Sequence, residues 1–570
     1  MRVPVWLPFA LLVAGLMLLT IRPLGDLDFG FYVASGRQFL EAGIPPSEFL
    51  APLLSRTTLS SQWIVSAMIF AGMWDLAGPS AIVLLCAITY AGGFVLAALG
   101  AVRQGASKEA ACFAAGVAAT IVAVRLVERP GCFSVLFLGA VIFLLLGAKG
   151  PIGIGTRIRL VALFVLWPWF HAEWLVGLGV ASLLLLASEG PRWRASATIL
   201  AMSVLPTVVF AALHPGGAKV LFQPLSFLFG NSTDFGVREY TGLVYTVHPL
   251  LSLAFLVGAA AVYLSLRARQ WHQATALGVL LALAIAIPRA HLPLVVLAIP
   301  TLAVAITPAF LLPRRALLLL SLMVVGCGWA GERRPGPWLR LGIDDRLDAR
   351  SIGEVLDRVP KREGYILSEF GMSSMLLAQD SVVRQGIVMD GRQEAYPKDY
   401  FENVYVPALG GRLPGDQDPR IWYASHGIAF YFEQWEGIGP KNRRLYTRFH
   451  QMGWRCIAWD NTGYLMAAPH VIERHGLVVV DPPGNLPVPE KVLRDPAALA
   501  SLLRAQQLHV DALESRGLPV PRPLLSLARL QIAAGDLAAA EATLERARLA
   551  GATRYATFLG VEQTIEALRP

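Results

Sequence analysis

The segment RPLGDLDFGFYVASGRQFLEAGIPP, residues 22–46, follows the first apolar run of the chain and carries two aspartates one residue apart, Asp26 and Asp28. Charged side chains are costly within a bilayer, so this acidic pair is expected at the membrane surface where the run ends. Residues 29–42 have the spacing of an amphipathic helix that the AGIPP turn terminates. The fold depends on which side of the membrane this segment occupies.

Composition indicates a membrane protein. The 570 residues are 55% hydrophobic and 16% charged, and the mean hydropathy is +0.53, which is far above that of a soluble domain. The first half of the chain consists of apolar runs cut by short Arg/Lys clusters, whereas the second half has ordinary soluble composition. We therefore expect a polytopic α-helical membrane domain over 1–331, with an outer loop at 22–79, a soluble α/β domain over 332–480, a Pro-rich linker at 481–495 and a helical tail at 496–570.

The net charge of +9 does not indicate nucleic-acid binding. Much of the basic excess lies in short loops between apolar runs, where it orients helices rather than contacting phosphates. Four of the five cysteines lie in or beside apolar segments, and the sequence contains no CxxC pair. Cysteines in such positions usually behave as small, buried apolar residues.

Eleven segments are predicted to span the bilayer. Residues 4–21 favour an uncleaved first helix over a signal peptide, because no small-x-small cleavage site follows them. The predicted spans are 4–21, 80–102, 108–125, 131–148, 158–170, 172–188, 195–213, 248–267, 272–288, 292–312 and 315–331.

The loops between these spans alternate in charge. One set is short and basic, and the other holds most of the acidic residues and histidines of this half. The positive-inside rule places the basic loops and the N-terminus in the cytoplasm, and everything from residue 332 outside. This topology requires SQWIVSAMIFAGMWDLAG, residues 61–78, to lie in the interface rather than to span the membrane.

Several stretches resemble, in order, the motifs of an uncharacterised group of bacterial proteins in the GT-C superfamily of membrane glycosyltransferases. DLDFGFYVASGRQFLEAGIP is similar to DPDxWWHxxxGxxIxxxGxxP, ERPGCFS to xRPxxFS, and LWPWFHAEWLVGL to LWANxHGGFxxGL. LHPGGAKVLFQPLSFL is similar to xNPYGxxLxxxPxxxL, SSQW to xHEW, VREY to IxEW, and VMDGRQEAYP to FxDGRxExY. Together these stretches cover most of residues 20–400.

The resemblance implies inverting sugar transfer from a polyprenyl-phosphate donor on the outer face of a bacterial inner membrane. It also implies that Asp26 or Asp28 acts as the base or holds a divalent metal such as Mg or Mn. The chain departs from the group at Tyr32, Ser61 and Gln62, where the group has His, His and Glu. These departures put metal dependence and activity in question.

Transfer to a hydroxyl needs a base for the acceptor proton and positive charge near the leaving phosphate. Asp26 and Asp28 are candidates for the base, although Asp28 also suits an N-cap of the following helix. His171 is the remaining candidate for proton handling or metal ligation, and Glu173 lies in the same turn. His214 is a weaker candidate.

The candidate phosphate ligands are arginines at outer loops or span ends, and the alternative for each is interfacial snorkelling. These residues are Arg129, Arg238 and Arg289.

The second half alternates β-rich runs with helical connectors, which predicts an α/β or α+β domain. MDGR, 389–392, is expected to end a strand with Asp390 exposed. Core packing accounts for most of the aromatic residues of this half. Residues 496–516 are predicted to be helical, and residues 523–551 have the spacing of one tetratricopeptide-like unit, which would offer a surface to a protein partner.

The leading interpretation is therefore a GT-C-type enzyme that binds the bilayer, a polyprenyl-phosphate-linked sugar and a glycan, lipid or protein acceptor. The alternative is a catalytically degenerate GT-C-fold scaffold or assembly protein of the envelope. A transporter would show inverted repeats or charges within the spans, and the sequence has neither.

Overall fold

The computed structural model describes the chain with gaps. The described residues are 6–51, 53, 59, 61–146, 152–188, 192–222, 249–286, 290–310, 326, 341, 343–344, 347–390, 396, 398–410, 413, 417–434, 440–480, 495–515, 520–554 and 556–569.

The chain divides into two compact units. Unit 1 comprises residues 1–26, 35–47 and 58–342, and unit 2 comprises residues 27–34, 48–57 and 343–570.

Unit 1 is built of helices. In chain order, the described ones are α1 (Leu7–Thr20), the second half of α2 (Phe29–Ala42), α3 (Ile64–Arg103), α4 (Lys108–Ile121), α5 (Gly131–Leu145), α6 (Ile154–Leu166), α7 (Trp174–Ser188), α8 (Arg192–Leu213), α9 (Pro249–Arg267), α10 (Trp271–Ala286) and α11 (His291–Ile306). The prediction of a helix over 29–42 is confirmed.

Ten of the eleven predicted spans overlap a helix, and the eleventh, 315–331, falls outside the described residues apart from Gly326. In the described part of the chain, three helical stretches are long and apolar enough to cross a membrane: Ile64–Arg103, Arg192–Leu213 and His291–Phe310. The shorter apolar helices are Leu7–Thr20, Gly131–Leu145, Trp174–Leu186, Ser252–Arg267 and Trp271–Ile285.

Helix α3 contains a sharp kink that separates residues 64–76 from the span predicted at 80–102. Ala77 and Gly78 leave helical geometry, with φ of −150° and 64° respectively. Pro79 follows, and the α conformation is disfavoured for the residue before a proline, so Gly78 takes a positive φ that most residues avoid. The chain therefore changes direction between the two predicted segments.

The packing of α3 explains how the outer segments are positioned. α3 packs along α5 and also contacts α1, α4 and α11. The second half of α2 lies so close to the first half of α3 that a Cβ at Gly36 would collide with the carbonyl of Ala67. Arg37, the next residue of α2, donates to Asp75 of α3 at 2.6 Å. These contacts fix the segment after the acidic pair within unit 1.

Unit 2 contains a four-stranded mixed sheet in the order β1-β2-β4-β3. The strands are β1 (Tyr365–Leu367), β2 (Ile428–Gln434), β3 (Arg455–Trp459) and β4 (Gly463–Ala467). β1 pairs with β2 in parallel, and β4 pairs antiparallel with β2 and β3. This half therefore combines strands and helices, and its mixed sheet has both a parallel and antiparallel pairs.

The helices of unit 2 surround this sheet and form the C-terminal tail. The first group is α12 (Arg350–Leu356), α13 (Phe370–Leu376), α14 (Asp380–Gln385), α15 (Pro419–Ser425), α16 (Pro440–Gln451) and α17 (Pro469–His475). A π-helical segment, Phe401–Tyr405, lies between α14 and α15. The tail is formed by α18 (Pro496–Ser515), α19 (Pro521–Ala533), α20 (Leu537–Leu549) and α21 (Ala556–Leu568), which share one apolar core.

Candidate functional site

The first feature of the site is an ion pair between Asp26 and Arg129. Asp26 lies between α1 and α2, Arg129 lies in the α4–α5 loop, and Arg129 Nε donates to Asp26 Oδ2 at 2.5 Å. The side chain of Asp26 is 4% exposed and that of Arg129 is 27% exposed. A buried carboxylate needs such a partner, so the pair holds the guanidinium in place while leaving part of it accessible.

A second ion pair lies directly beside the first. Arg22 Nε donates to Glu128 Oε1 at 3.1 Å, and the backbone N–H of Gly25 donates to the other carboxylate oxygen at 3.5 Å. The Tyr90 hydroxyl of α3 donates to the carbonyl of Val127 at 2.9 Å. Segment 22–26 and the α4–α5 loop are therefore joined at several points, and these contacts determine the position of Arg129.

The second half of the site is built around His171. Its Nδ1 lies 2.9 Å from the Ser134 hydroxyl of α5 and 3.7 Å from the carboxylate of Glu173. The Trp167 indole N–H donates to the same hydroxyl at 3.1 Å. Among the described residues, His171 Nε2 has no hydrogen-bond partner. When the neutral ring carries its hydrogen on Nδ1, which then donates toward Ser134 or Glu173, Nε2 is the nitrogen left to accept a proton.

Arg129 and His171 lie at the same end of α5. A Cβ built at Gly131 would lie 3.8 Å from His171 Cε1. Arg129 is two residues earlier, so its Cα is within ~7.6 Å of that of Gly131. Asp26 is paired with Arg129, and Glu173 lies beside His171, so the four side chains lie around the start of α5 and are called the polar cluster.

The α5 N-terminus contributes little as an anion site of its own. The backbone N–H groups of Cys132 and Phe133 donate to the carbonyls of Arg129 and Pro130, both at 3.0 Å. Free amides at a helix start would attract phosphate. Because these two amides are already bonded, the Arg129 side chain is the better phosphate donor here.

The remaining candidate residues are placed as follows. Asp28 is half-buried and belongs to unit 2, whereas Asp26 belongs to unit 1. Arg238 and Arg289 lie outside the described residues, as does Glu239.

The cluster does not fit a divalent metal. Asp26 faces a guanidinium at 2.5 Å, and a cation would have to displace it. Within the part of the chain that the structure describes, no group of three His, Cys, Asp or Glu side chains has the arrangement of a metal site. A hard cation such as Mg²⁺ requires several oxygen ligands, and this cluster does not offer them.

His214, the weaker candidate, has a structural role. Its Nδ1 accepts from the backbone N–H of Gly216 at 2.9 Å, so Nε2 carries the proton that it donates to the Ser61 carbonyl at 2.9 Å. The side-chain amide of Gln62 donates to the Val220 carbonyl. The SSQW and LHPGG stretches are therefore clipped together, and both nitrogens of His214 are used.

Sequence reasoning missed the residues that support the candidates. Arg22, Glu128, Ser134 and Trp167 were assigned no role, although three of them lie inside the quoted stretches ERPGCFS and LWPWFHAEW. The available signal was the presence of polar and indole groups beside Arg129 and His171 in those stretches.

In unit 2, the expectation that Asp390 is exposed was wrong. Asp390 is fully buried, and its backbone N–H donates to the Tyr396 hydroxyl at 2.9 Å. Arg392 lies outside the described residues. Core packing of the aromatic residues is confirmed for Trp422, Tyr423, Tyr431 and Trp454, all of which are buried.

The tail docks onto the β3–β4 turn within unit 2. His509 stacks on Trp459 at a ring distance of 3.8 Å and lies 3.0 Å from its carbonyl. The Arg522 backbone N–H donates to the Asn461 side chain at 3.1 Å. Burial lowers the pKa of His509 to about 4 and raises that of the neighbouring Asp460 to about 6.

Comparison with known proteins adds evidence on the fold. No family model matches the sequence, and no curated protein matches it significantly. Among solved structures, the oligosaccharyltransferase AglB from Archaeoglobus fulgidus, in complex with an inhibitory peptide and a dolichol-phosphate, is similar at a TM-score of 0.54 and 13% identity, over 80% of this chain and 74% of AglB. The same enzyme tethered to an acceptor peptide is similar at 0.54 and 11%, over 77% and 70%.

ArnT from Cupriavidus metallidurans, bound to undecaprenyl phosphate, gives a TM-score of 0.41 at 13% identity, over 81% of this chain and 96% of ArnT. The conclusion on fold rests on AglB, whose likeness extends over most of both chains. The chain therefore shares the fold of the oligosaccharyltransferase AglB over most of its length, with apolar helices long enough to cross a membrane.

Proposed function

We propose that this chain is a membrane glycosyltransferase that moves a sugar from a polyprenyl-phosphate donor to an acceptor hydroxyl or amide. The observation that carries the proposal is the half-exposed guanidinium of Arg129, held by Asp26 beside the oriented imidazole of His171. It is supported by the shared fold with AglB, whose structure holds a dolichol-phosphate.

Arg129 is assigned to the donor phosphate. A guanidinium has five N–H donors in a fixed plane, and Nε is directed to Asp26. Charge-assisted contacts from arginine suit phosphate oxygens because they are short and directional. Asp26 is therefore a positioning residue that keeps the guanidinium in one orientation.

His171 is assigned to the acceptor proton. Ser134 and Glu173 both lie on its Nδ1 side, so that Nε2 faces away from the groups that orient the ring. This arrangement resembles other sites in which a partner at one ring nitrogen leaves the other to act as the base. Asp28 stays a second candidate for this role.

In the proposed reaction, an acceptor oxygen or nitrogen attacks the anomeric carbon of the sugar. The bond from that carbon to the phosphate oxygen breaks with inversion, and polyprenyl phosphate leaves with an additional negative charge. Arg129 stabilises that charge, and the acceptor proton moves to His171 Nε2. No other reactant is needed.

We further propose that the site faces the outer side of a bacterial inner membrane, with the N-terminus in the cytoplasm. The support for this orientation is the alternation of basic and acidic loops along unit 1. The helical tail, with its tetratricopeptide-like spacing, is proposed as a surface for a protein partner.

The test is release of undecaprenyl phosphate from undecaprenyl-phosphate hexoses by the purified full chain in proteoliposomes that also contain a bacterial envelope extract as the source of acceptor. We expect His171→Gln to lower turnover by about 10²-fold or more, the ordinary contribution of a general base. Arg37→Gln, which changes a partly buried arginine paired with the exposed Asp75 in the same unit, is the matched control and keeps full turnover. Equal turnover of wild type and His171→Gln would remove the base assignment, and Asp28→Asn then tests the second candidate.

The degenerate scaffold is favoured by one observation. At the position where the related group has His-Glu, Ser61 and Gln62 contribute a carbonyl and an amide to structural contacts with His214 and Val220. The same assay separates the two functions, since a scaffold would release no undecaprenyl phosphate from any donor while remaining folded.

A further inference from the structure

Two buried cysteines meet at the end of α5 that carries the polar cluster. Cys86 lies on α3 and is 3% exposed, and Cys132 lies in the first turn of α5 and is 0% exposed. Both are free thiols in this structure. They are 46 residues apart in sequence, so nothing in their spacing indicates that they form a pair.

The backbones of α3 and α5 approach very closely along this seam. A Cβ built at Gly139 would lie 3.0 Å from the Cα of Gly93, so the two Cα atoms are within ~4.5 Å of each other. Cys86 and Cys132 each precede these glycines by seven residues. In closely packed parallel helices a seven-residue step returns to the same seam, and a disulfide needs Cα atoms within ~7 Å.

We propose that Cys86 and Cys132 form a disulfide that links α3 to the start of α5. The oxidant is a disulfide donor, either a small-molecule disulfide or a protein disulfide. A Cys86 or Cys132 thiolate attacks a donor sulfur and releases the first donor thiol, and the second cysteine attacks that mixed disulfide and releases the other. The cysteine pair loses two electrons and two protons, and the donor gains both.

The bond would bear directly on the polar cluster. The backbone N–H of Cys132 donates to the Arg129 carbonyl at 3.0 Å, so the crosslinked residue holds the loop that carries the guanidinium. A disulfide here would tie the Arg129 loop to α3. The pairing does not depend on the sugar-transfer proposal.

The experiment uses the full chain in detergent, equilibrated with oxidised glutathione. Free thiols are then trapped with N-ethylmaleimide under denaturing conditions, and the peptides are identified by mass spectrometry. We expect a linked Cys86–Cys132 peptide, with alkylation of both cysteines at least tenfold lower than that of Cys112 and restored by reductant. Cys112 is the internal control, since it is buried on α4 and its electrostatic neighbour is Glu109 rather than a thiol.

Full alkylation of all five cysteines after oxidation would overturn the proposal. A Cys86 or Cys132 peptide linked to any other cysteine would also overturn it. Cys86→Ser should leave Cys132 fully alkylated under the same conditions. The wild-type measurement requires no variant to fold, so it decides the matter even if Cys86→Ser does not.

Discussion

Replacing Arg129 by Gln should destabilise unit 1, and replacing Asp26 as well should restore much of the loss. In the single variant, a carboxylate that is 4% exposed loses its guanidinium partner. Breaking a buried pair on one side costs ~3–5 kcal/mol. Arg129 is 27% exposed, so water reaches the pair, and we reduce the expected loss to about 2 kcal/mol.

Asp26→Asn should cost less, about 1 kcal/mol, because the longer arginine can reach water from its half-exposed position. In the double variant neither charge is left opposing burial, so the losses are not additive. We expect a coupling free energy of about 1–2 kcal/mol in favour of the double variant. This corresponds to a shift on the order of 5 °C in Tm relative to the additive expectation.

The assay is thermal unfolding of the full chain in one detergent, applied to the four members of the cycle. The matched control is the cycle Arg37→Gln with Asp75→Asn, an ion pair of 2.6 Å whose carboxylate is 50% exposed. Exposed pairs of this kind couple by less than ~1 kcal/mol. Additive losses at Arg129 and Asp26, or equal coupling in both cycles, would refute the claim that burial makes this pair special.

Three further outcomes are expected. Ser134→Ala should lower kcat by about 3–10-fold with little change in KM, because the ring of His171 loses an orienting partner; a change in KM alone would contradict this. His509 has a folded pKa of about 4 against an unfolded value of ~6.5, so its own contribution to the stability of unit 2 is fully present above pH 6.5 and falls by about 1–2 kcal/mol as pH drops toward 4. The neighbouring Asp460, whose pKa is raised to about 6, acts in the opposite direction over this range, so the measurement is the difference between wild type and His509→Gln in unfolding titrations. The variant should lose less stability than wild type on acidification, and an equal pH dependence of the two would oppose the assignment. Gly30→Ala should destabilise unit 2 by more than ~2 kcal/mol, since its Cβ would strike the carbonyls of Ser374 and Met375, whereas Gly72→Ala, a helical glycine with open space around it, should be neutral or stabilising; equal Tm values would contradict this.

Local patterns predicted the elements well. The helix at 29–42 ends directly before the Gly-Ile-Pro-Pro sequence, and the kink in α3 near residue 78 coincides with a Gly-Pro pair. These features are set by neighbouring residues through backbone sterics. The same holds for unit 2, where the four strands lie in β-rich stretches of the sequence. A further β-rich stretch contributes an isolated bridge between Ile387 and Ile366 of β1.

The site was accessible only in part. Asp26, Arg129 and His171 were each identified as candidates from the sequence. The pairing of Asp26 with Arg129, however, joins positions 103 residues apart and depends on how α3, α4 and α5 pack. No periodicity encodes that packing. The role of Ser134 was missed for the same reason, since its hydroxyl lies on α5 and contacts His171 in the turn before α7.

The error at Asp390 has a different cause. Asp-Gly is a common signal for an exposed turn. Here the aspartate lies beneath the tyrosine-rich segment that follows, where Tyr396 accepts its backbone N–H, and burial raises the pKa of the neighbouring Tyr400. Local turn chemistry was overridden by tertiary burial.

The central claim is that Arg129, positioned by Asp26, contacts the phosphate of the lipid carrier. The most direct measurement is the affinity of the full chain for undecaprenyl phosphate compared with undecaprenol, in wild type and Arg129→Gln. A charge-assisted contact of ~1.5–3 kcal/mol predicts that wild type binds the phosphate at least tenfold more tightly than the alcohol, and that the variant loses this preference. An undiminished preference for the phosphate in Arg129→Gln would contradict the account.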